Sequence, residues 1–246
     1  MKKIIVLSLL AWGCFVGSVA AHPVQSQDTL RFTPTAETVQ DVLQRMLAAI
    51  GSDSLAHITD RTLTGHFYET ANGHDAVGEL LTIEAAPAKR SDELLFIDKN
   101  IKHVINGTHS WMTDSTGKLY PLSGPALKSD IAQALFNPEL HLRDNGVVVA
   151  LLGTAMDSTE KCYVLKVQFK DSYPELWYVA SSSWQIVKRA QPVQGKLQWY
   201  HFSDFRKIDG VTYPFRITAT GPQNFSIVYD QIRHNVHPSA STFEGS

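Results

Sequence analysis

The stretch Gln198–Thr218, QWYHFSDFRKIDGVTYPFRIT, has the pattern of a β-hairpin. The pair Asp209-Gly210 separates two runs that are rich in aromatic and β-branched side chains. An Asp-Gly pair readily adopts the positive φ angles that a two-residue hairpin turn requires. In the second run, alternate positions are apolar: Val211, Tyr213, Phe215 and Ile217. This period of two predicts a strand with one buried face.

Pro214 lies on the opposite face of the same run, between Thr212 and Arg216. Proline has no backbone N–H group and cannot donate a hydrogen bond to a neighbouring strand. We therefore expect this strand to lie at an edge of its sheet or to carry a bulge at Pro214.

Short runs with the same period of two, separated by turn-forming residues, continue in both directions along the chain. They cover residues 61–69, 77–86, 92–97, 102–105, 110–113, 147–152, 161–169, 176–181, 185–190, 196–202 and 224–232. With the second arm of the hairpin, this makes about eleven or twelve strands. A sheet of that many strands must curl, split or close. We predict a mainly β fold with some α-helix, built on a large curled antiparallel sheet that forms an open, incomplete β-barrel.

Two segments have the period of amphipathic helices. In residues 34–50 an apolar stripe recurs every three or four positions, Thr33-Pro34 is the expected start, and Gly51 the expected end. In residues 125–136 the stripe consists of Leu127, Ile131 and Leu135. We expect both helices to cover the apolar face of the curled sheet.

The first 21 residues resemble a secretory signal peptide, with a basic start, a short apolar run and small residues at Ala20 and Ala21. An uncleaved membrane anchor and a lipid-modified Cys14 are the alternatives. On this interpretation residues 22–246 form one domain in the periplasm. Removing Lys2 and Lys3 with the signal peptide leaves 20 basic and 24 acidic residues, a formal charge of −4, which argues against nucleic acid as a partner.

No pattern of catalytic or metal-binding residues emerges. Ten histidines are present, yet there is no His-Glu-x-x-His, and Cys162 is the only cysteine after residue 21. His234 and His237 are interpreted as exposed polar residues. There is no Gly-x-Ser-x-Gly either. We expect no metal, no cofactor and no enzymatic activity; a hydrolase that uses His66 or His201 is a distant third hypothesis.

The apolar faces of the strands and helices are the remaining candidates for function. An ordinary core is one interpretation, and a cavity for an apolar ligand is the other. The residues predicted to line such a cavity are Leu63, Phe67, Leu81, Ile83, Trp111, Leu127, Ile131, Leu165, Val167, Tyr213 and Phe215.

The order of elements and several segments resemble the periplasmic lipoprotein carrier and sorting proteins of the LolA/LolB type. The segments are INGTHSW (105–111), LLG (151–153), KCYVLKV (161–167), SSSWQIV (181–187) and FSDFRKIDGVTYPFRI (202–217). The resemblance implies an open β-barrel with helices as a lid, and a cavity that shields acyl chains. Carriers of this type also hold the lid with an arginine, to which no residue of this sequence is matched.

From the apolar strand faces, the two helices and the absence of catalytic patterns, we expect a monomeric, non-enzymatic protein whose partners are lipid or lipoprotein acyl chains. The resemblance adds a role of the outer-membrane lipoprotein-sorting type. The alternative is a sensor or interaction module that binds another envelope protein through the surface of the sheet.

Overall fold

The computed structural model describes residues 30–71, 74–97, 99–114, 116–170, 172–193 and 195–245. The predicted signal peptide, with Cys14 inside it, lies outside the described residues. The α-helices of the described part are Val39–Ile50 (α1), Ser52–Leu55 (α2) and Gly124–Gln133 (α3), and the 3-10 helices are Pro138–His141 and Ala240–Phe243. The strands are Asp60–Ala71 (β1), His74–Ala85 (β2), Lys89–Leu95 (β3), Asn100–Asn106 (β4), His109–Thr113 (β5), Leu119–Pro121 (β6), Val148–Asp157 (β7), Glu160–Gln168 (β8), Glu175–Ala180 (β9), Ile186–Val193 (β10), Lys196–Ile208 (β11), Val211–Thr220 (β12) and Phe225–His234 (β13).

All of these strands join one sheet in the order β6-β5-β4-β3-β2-β1-β13-β12-β11-β10-β9-β8-β7. The chain makes two antiparallel meanders, which meet where β1 pairs with β13. The two edge strands, β6 and β7, are not neighbours, so the sheet is open. The predicted fold, an open curled antiparallel sheet with helices, is confirmed. The strand that the sequence did not predict is β6, because its three residues are too few to show a period.

The segment between β6 and β7 must cross the whole sheet, because these strands are its opposite edges. This crossing contains α3 and the 3-10 helix Pro138–His141. α3 ends at Gln133, three residues before the predicted end, and the N–H group of Phe136 donates to the carbonyl of Pro87 instead (3.0 Å). The crossing places α3 over one face of the sheet, which we call the inner face.

α1 also covers the inner face, with Val42, Leu43, Met46 and Ile50 buried. Its predicted start at Thr33 is wrong. The helix begins after Thr38, whose hydroxyl accepts from the N–H of Asp41 (3.2 Å) while the Asp41 carboxylate accepts from the N–H of Thr38. Thr33 instead exchanges two backbone hydrogen bonds with Thr154 of β7.

Gly51 ends α1 with φ 87°, as predicted, and the helix end packs on the hairpin. A Cβ atom at Gly51 would clash with the carbonyl oxygen of Gly210. The hairpin turn is the predicted one, since Asp209 and Gly210 both have positive φ (49° and 89°) and Ile208 pairs with Val211.

The predicted edge position of Pro214 is wrong, because β12 lies between β11 and β13. Pro214 pairs with Phe205 of β11. The described pairing of β12 with β13 covers only residues 216–219, so it ends before the proline. An interior strand therefore contains proline where its pairing on one side has stopped.

The main core lies between the inner face and the helices. The outer face carries a smaller apolar cluster around Cys162, Val164 and Tyr178, against which Phe32 and Trp199 pack. None of the described helices is both long and apolar enough to cross a membrane.

Candidate functional site

A cavity of about 310 Å³ lies between the inner face and the helices that cover it. Ile50 at the end of α1, Leu55 of α2 and Asp130 of α3 contribute to its wall. This volume is at the lower end of the range of about 300–1,000 Å³ for small-molecule sites in proteins. The cavity therefore has room for one small ligand or one acyl chain of modest length.

One part of the lining is apolar and aromatic. It comes from strands on both halves of the sheet and from the residue that follows β8: Leu63, Phe169, Trp177, Ile186, Val211, Ile217, Phe225, Ile227 and Ile232. Trp177 is fully buried, and the Phe169 ring lies 6.3 Å from it between ring centroids. This part of the wall suits a hydrocarbon chain.

The other part of the lining is charged, and strand register explains why. Arg61 of β1 pairs with Glu84 of β2, and Glu84 pairs with Arg90 of β3. Cross-strand partners point to the same face, so these three side chains form a row on the inner face. The Arg61 Nε donates to Glu84, and the Arg90 Nη1 donates to the same carboxylate at 3.0 Å.

The next row contains Asp92, which is 2% exposed and accepts from Arg90 Nε (2.7 Å) and from Thr82 Oγ1 (2.6 Å). Burial acts to raise the pKa of Asp92, but the guanidinium of Arg90 outweighs it and holds that pKa below its ordinary value. Burial likewise acts to lower the pKa of Arg61, and the Glu84 carboxylate more than offsets this. Asp92, Arg61 and Arg90 therefore stay ionised at neutral pH.

Polar contacts at three residues of the crossing segment, Asp130, Asn137 and Glu139, connect it to the sheet. His103 Nε2 of β4 lies 2.8 Å from the Asp130 carboxylate, which also accepts from Ser110 Oγ at 2.6 Å. Arg61 Nη1 donates to Asn137 Oδ1 (3.2 Å). The contact at Glu139 is an ion pair with Arg189 of β10. The cover of the cavity is thus attached through buried or half-buried polar groups.

Of the predicted cavity residues, Leu63 and Tyr213 line the cavity. Four others, Phe67, Leu165, Val167 and Phe215, are buried on the inner face in the core cluster but do not reach the cavity wall. Whether any of the six contacts a ligand stays a prediction.

Leu81, Ile83 and Trp111 do not lie on the predicted face. Leu81 and Ile83 pair with Thr64 and Thr62 of β1, and the inner face of β2 carries Leu80, Thr82 and Glu84 instead. Trp111 alternates with the buried Ser110 and Met112, so it faces outward, where it stacks on His109 (5.7 Å) and contacts Gly245.

Leu127 and Ile131 of α3 are half-buried, and the cavity lining among the described residues includes neither. The helix presents Asp130 and Gln133 to the cavity, and Leu135 follows after the helix end. The predicted apolar stripe therefore contributes one of its three residues to the wall.

The histidines of the hydrolase hypothesis are far apart in the sheet. His66 of β1 pairs with Asp230 (3.3 Å), and His201 of β11 lies opposite Lys188 of β10. Burial, followed by the Lys188 charge, lowers the pKa of His201. In the described ranges, no three His, Cys, Asp or Glu side chains are grouped so that they could hold a metal ion.

The charged rows are the site residues that sequence reasoning missed. Arg90, Asp92 and Leu94 share one parity in β3, and both Asp92 and Leu94 are buried. The available signal in the sequence was that Arg90 and Asp92 occupy the same alternate positions of the strand as a buried leucine, Leu94. In β2 apolar residues occupy both parities, so the pattern alone assigned the wrong face.

No protein-family model matches the sequence, and no curated protein matches it either. Among solved structures, the chain is similar to a LolA superfamily protein from Nitrosomonas europaea, with a TM-score of 0.58 and 16% identity over 85% of this chain and 98% of that one. A DUF1329 family protein from Desulfovibrio piger gives the same TM-score and coverage at 15% identity. An outer membrane lipoprotein-sorting protein domain from Vibrio parahaemolyticus gives a TM-score of 0.56 and 12% identity over 82% of this chain and 94% of that one.

These likenesses agree with the topology of one open antiparallel sheet whose inner face is covered by helices. At such low identity they show the fold alone. The predicted resemblance is confirmed at that level, and the chain has a LolA-like fold.

Proposed function

We propose that this protein is a non-enzymatic carrier that holds the acyl part of a lipid or lipoprotein in the cavity between the sheet and its helices. The observation that carries this proposal is the cavity of about 310 Å³, partly covered by the end of α1 and by α3 and lined on one side by Trp177, Phe169 and Ile186. Burying a hydrocarbon chain there is favourable by about 0.8 kcal/mol per methylene group.

The cellular setting and domain division belong to the same proposal. Residues 1–21 act as a cleaved signal peptide, and residues 22–246 act as one domain in the periplasm. The likeness to a lipoprotein-sorting protein domain supports this setting. A role in lipoprotein sorting follows if the cargo is an acylated protein.

The experiment is uptake of a fluorescent acyl probe by the purified protein. Ile217→Trp should reduce uptake strongly, because Ile217 lines the cavity and a larger ring takes up its free volume. The matched control is Thr220→Trp on the same strand, where the side chain is exposed. Uptake that is equal in both folded variants and in the wild type would contradict the proposal.

The second candidate, an envelope interaction module, is favoured by one observation. The edge strand β7 exposes Val148 (56%) and Met156 (63%), and away from Thr154, which bonds Thr33, an edge strand can offer backbone groups to a partner strand. If this is the function, Met156→Lys should abolish capture of the envelope partner, and the protein should take up no acyl probe.

A further inference from the structure

Two buried polar atoms of the cavity lining carry a hydrogen for which the described part of the chain provides no acceptor. They are the hydroxyl of Tyr213 and the Nε of Arg189. Buried polar groups are almost always hydrogen-bonded, since leaving them unpaired is unfavourable. Two such atoms at one cavity are available to donate hydrogen bonds to acceptor atoms of a bound molecule.

Both atoms are positioned by the groups around them. The Arg189 guanidinium lies 3.8 Å from the centroid of the Trp177 ring, and its Nη2 donates to Glu139. The Tyr213 ring lies 5.6 Å from the Arg61 guanidinium. Glu139, which accepts from Arg189, also acts electrostatically on Tyr213, so the two atoms belong to one region near the 3-10 helix Pro138–His141.

The Arg189 Nε can only donate a hydrogen bond, and the Tyr213 hydroxyl is available as a donor. Burial raises the pKa of Tyr213 and outweighs the opposing charge of Arg61, so the hydroxyl keeps its proton at neutral pH. The missing partners are therefore acceptor oxygens.

The charge of the lining decides which kind of oxygen fits. Its arginines are Arg61, Arg90 and Arg189, and its carboxylates are Glu84, Asp92, Asp130, Glu139 and Glu175. The carboxylates outnumber the cations even if His103 is protonated. Arg61 and Arg189 are already paired with Glu84 and Glu139. An additional anion in this cavity would meet an excess of negative charge.

We infer that the cavity is selective for a neutral acyl ester or amide, whose oxygens accept hydrogen bonds from Tyr213 and Arg189 while its chain lies on the apolar wall. This inference rests on the proposed carrier function, and it names the ligand class of that same site. A free fatty acid, whose head is a carboxylate, is the ligand that the cavity disfavours.

The experiment compares two ligands with the same chain, 1-decanoylglycerol and decanoate, by calorimetric titration at pH 7.5 below their aggregation concentrations. The wild-type protein should bind the ester about tenfold more tightly than the carboxylate. Equal or tighter binding of decanoate would overturn the inference and leave the carrier function standing. If neither ligand binds, both proposals fail.

Variants connect the selectivity to the two atoms. Tyr213→Phe removes only the hydroxyl, and it should weaken binding of the ester about fivefold. Arg189→Lys keeps a cation beside Glu139, lacks the Nε donor, and should have a similar effect. The control is Tyr178→Phe, because Tyr178 is equally buried but lies in the outer-face cluster. If all three variants bind the ester alike, the inference is wrong.

Discussion

The side chains that fill the inner face and those that line the cavity are different sets, and Phe67 illustrates the difference. It was predicted as a cavity residue from its strand period. It is fully buried, stacks on Phe225 at 5.2 Å and meets Phe96 edge-on at 6.2 Å. A period of two places a residue on a face, but it does not tell whether the neighbours leave free space beside it.

Phe67→Ala should therefore test stability. We expect the free energy of unfolding to fall by about 4 kcal/mol, because a large cavity replaces a packed ring. Urea denaturation measures this loss. Tyr68→Ala, at the exposed neighbouring position, should lower the free energy of unfolding far less. A loss at Phe67 no larger than that at Tyr68 would show that Phe67 is not packed as described.

Cys162 gives a second prediction at this scale. It is fully buried in the outer-face cluster, and burial raises the pKa of its thiol to about 11. The thiolate is the reactive form, so iodoacetamide at pH 8 should modify the folded protein very slowly and the urea-unfolded protein readily. Modification of the folded protein at the rate of a free thiol would contradict this placement.

Among the elements, the hairpin and the two longer helices were predictable, because turn residues and helical period are local signals. The start of α1 was not, since Thr33-Pro34 and Thr38 are both acceptable starts. The bridge between Thr33 and Thr154 decides between them, and the sequence does not reveal that contact. The outward face of Leu81 and Ile83 likewise depends on register with β1.

The attachment of α3 is the element-scale feature that can be tested directly. Asp130 is 2% exposed and accepts hydrogen bonds from His103 and Ser110 of the sheet. Asp130→Ala removes both hydrogen bonds, so α3 should separate from the sheet and unfold locally more often. The amide hydrogens of α3 should then exchange about tenfold faster. The control is Asp53→Ala, where the side chain is exposed.

The acyl probe should also enter and leave the Asp130→Ala protein faster. Hydrogen exchange monitored by mass spectrometry gives the first readout, and probe kinetics give the second. Unchanged exchange in α3 would mean that the apolar contacts alone hold the helix in place.

In the molecule as a whole, a mainly β architecture was predictable because many short periodic strands leave few other possibilities. The charged interior was not predictable. A row such as Arg61–Glu84–Arg90 exists only after three strands have paired in one register, and each charge alone resembles a solvent-facing residue. The cavity consequently has an apolar wall and an ionised wall, where the sequence predicted apolar residues throughout.

The ionised wall makes the stability of the fold sensitive to acid. The pKa of Asp92 is lowered below its ordinary value of 3.8, so its contribution is present above that pH and is lost as the pH falls through the lowered pKa. Asp92→Asn should lower the free energy of unfolding by about 3 kcal/mol at pH 7. Below about pH 4 the variant should lose less stability than the wild type does. Urea midpoints across pH 2–7 check both; identical pH profiles would contradict the ion pair.

Mass spectrometry of the purified protein would detect an acyl ligand in the cavity. Spectra are recorded under native conditions and again after organic extraction. We expect a bound lipid or acylated species in stoichiometric amount, which extraction removes and identifies. A native mass equal to that of the protein alone, with no uptake of an acyl probe afterwards, would contradict the proposed carrier function.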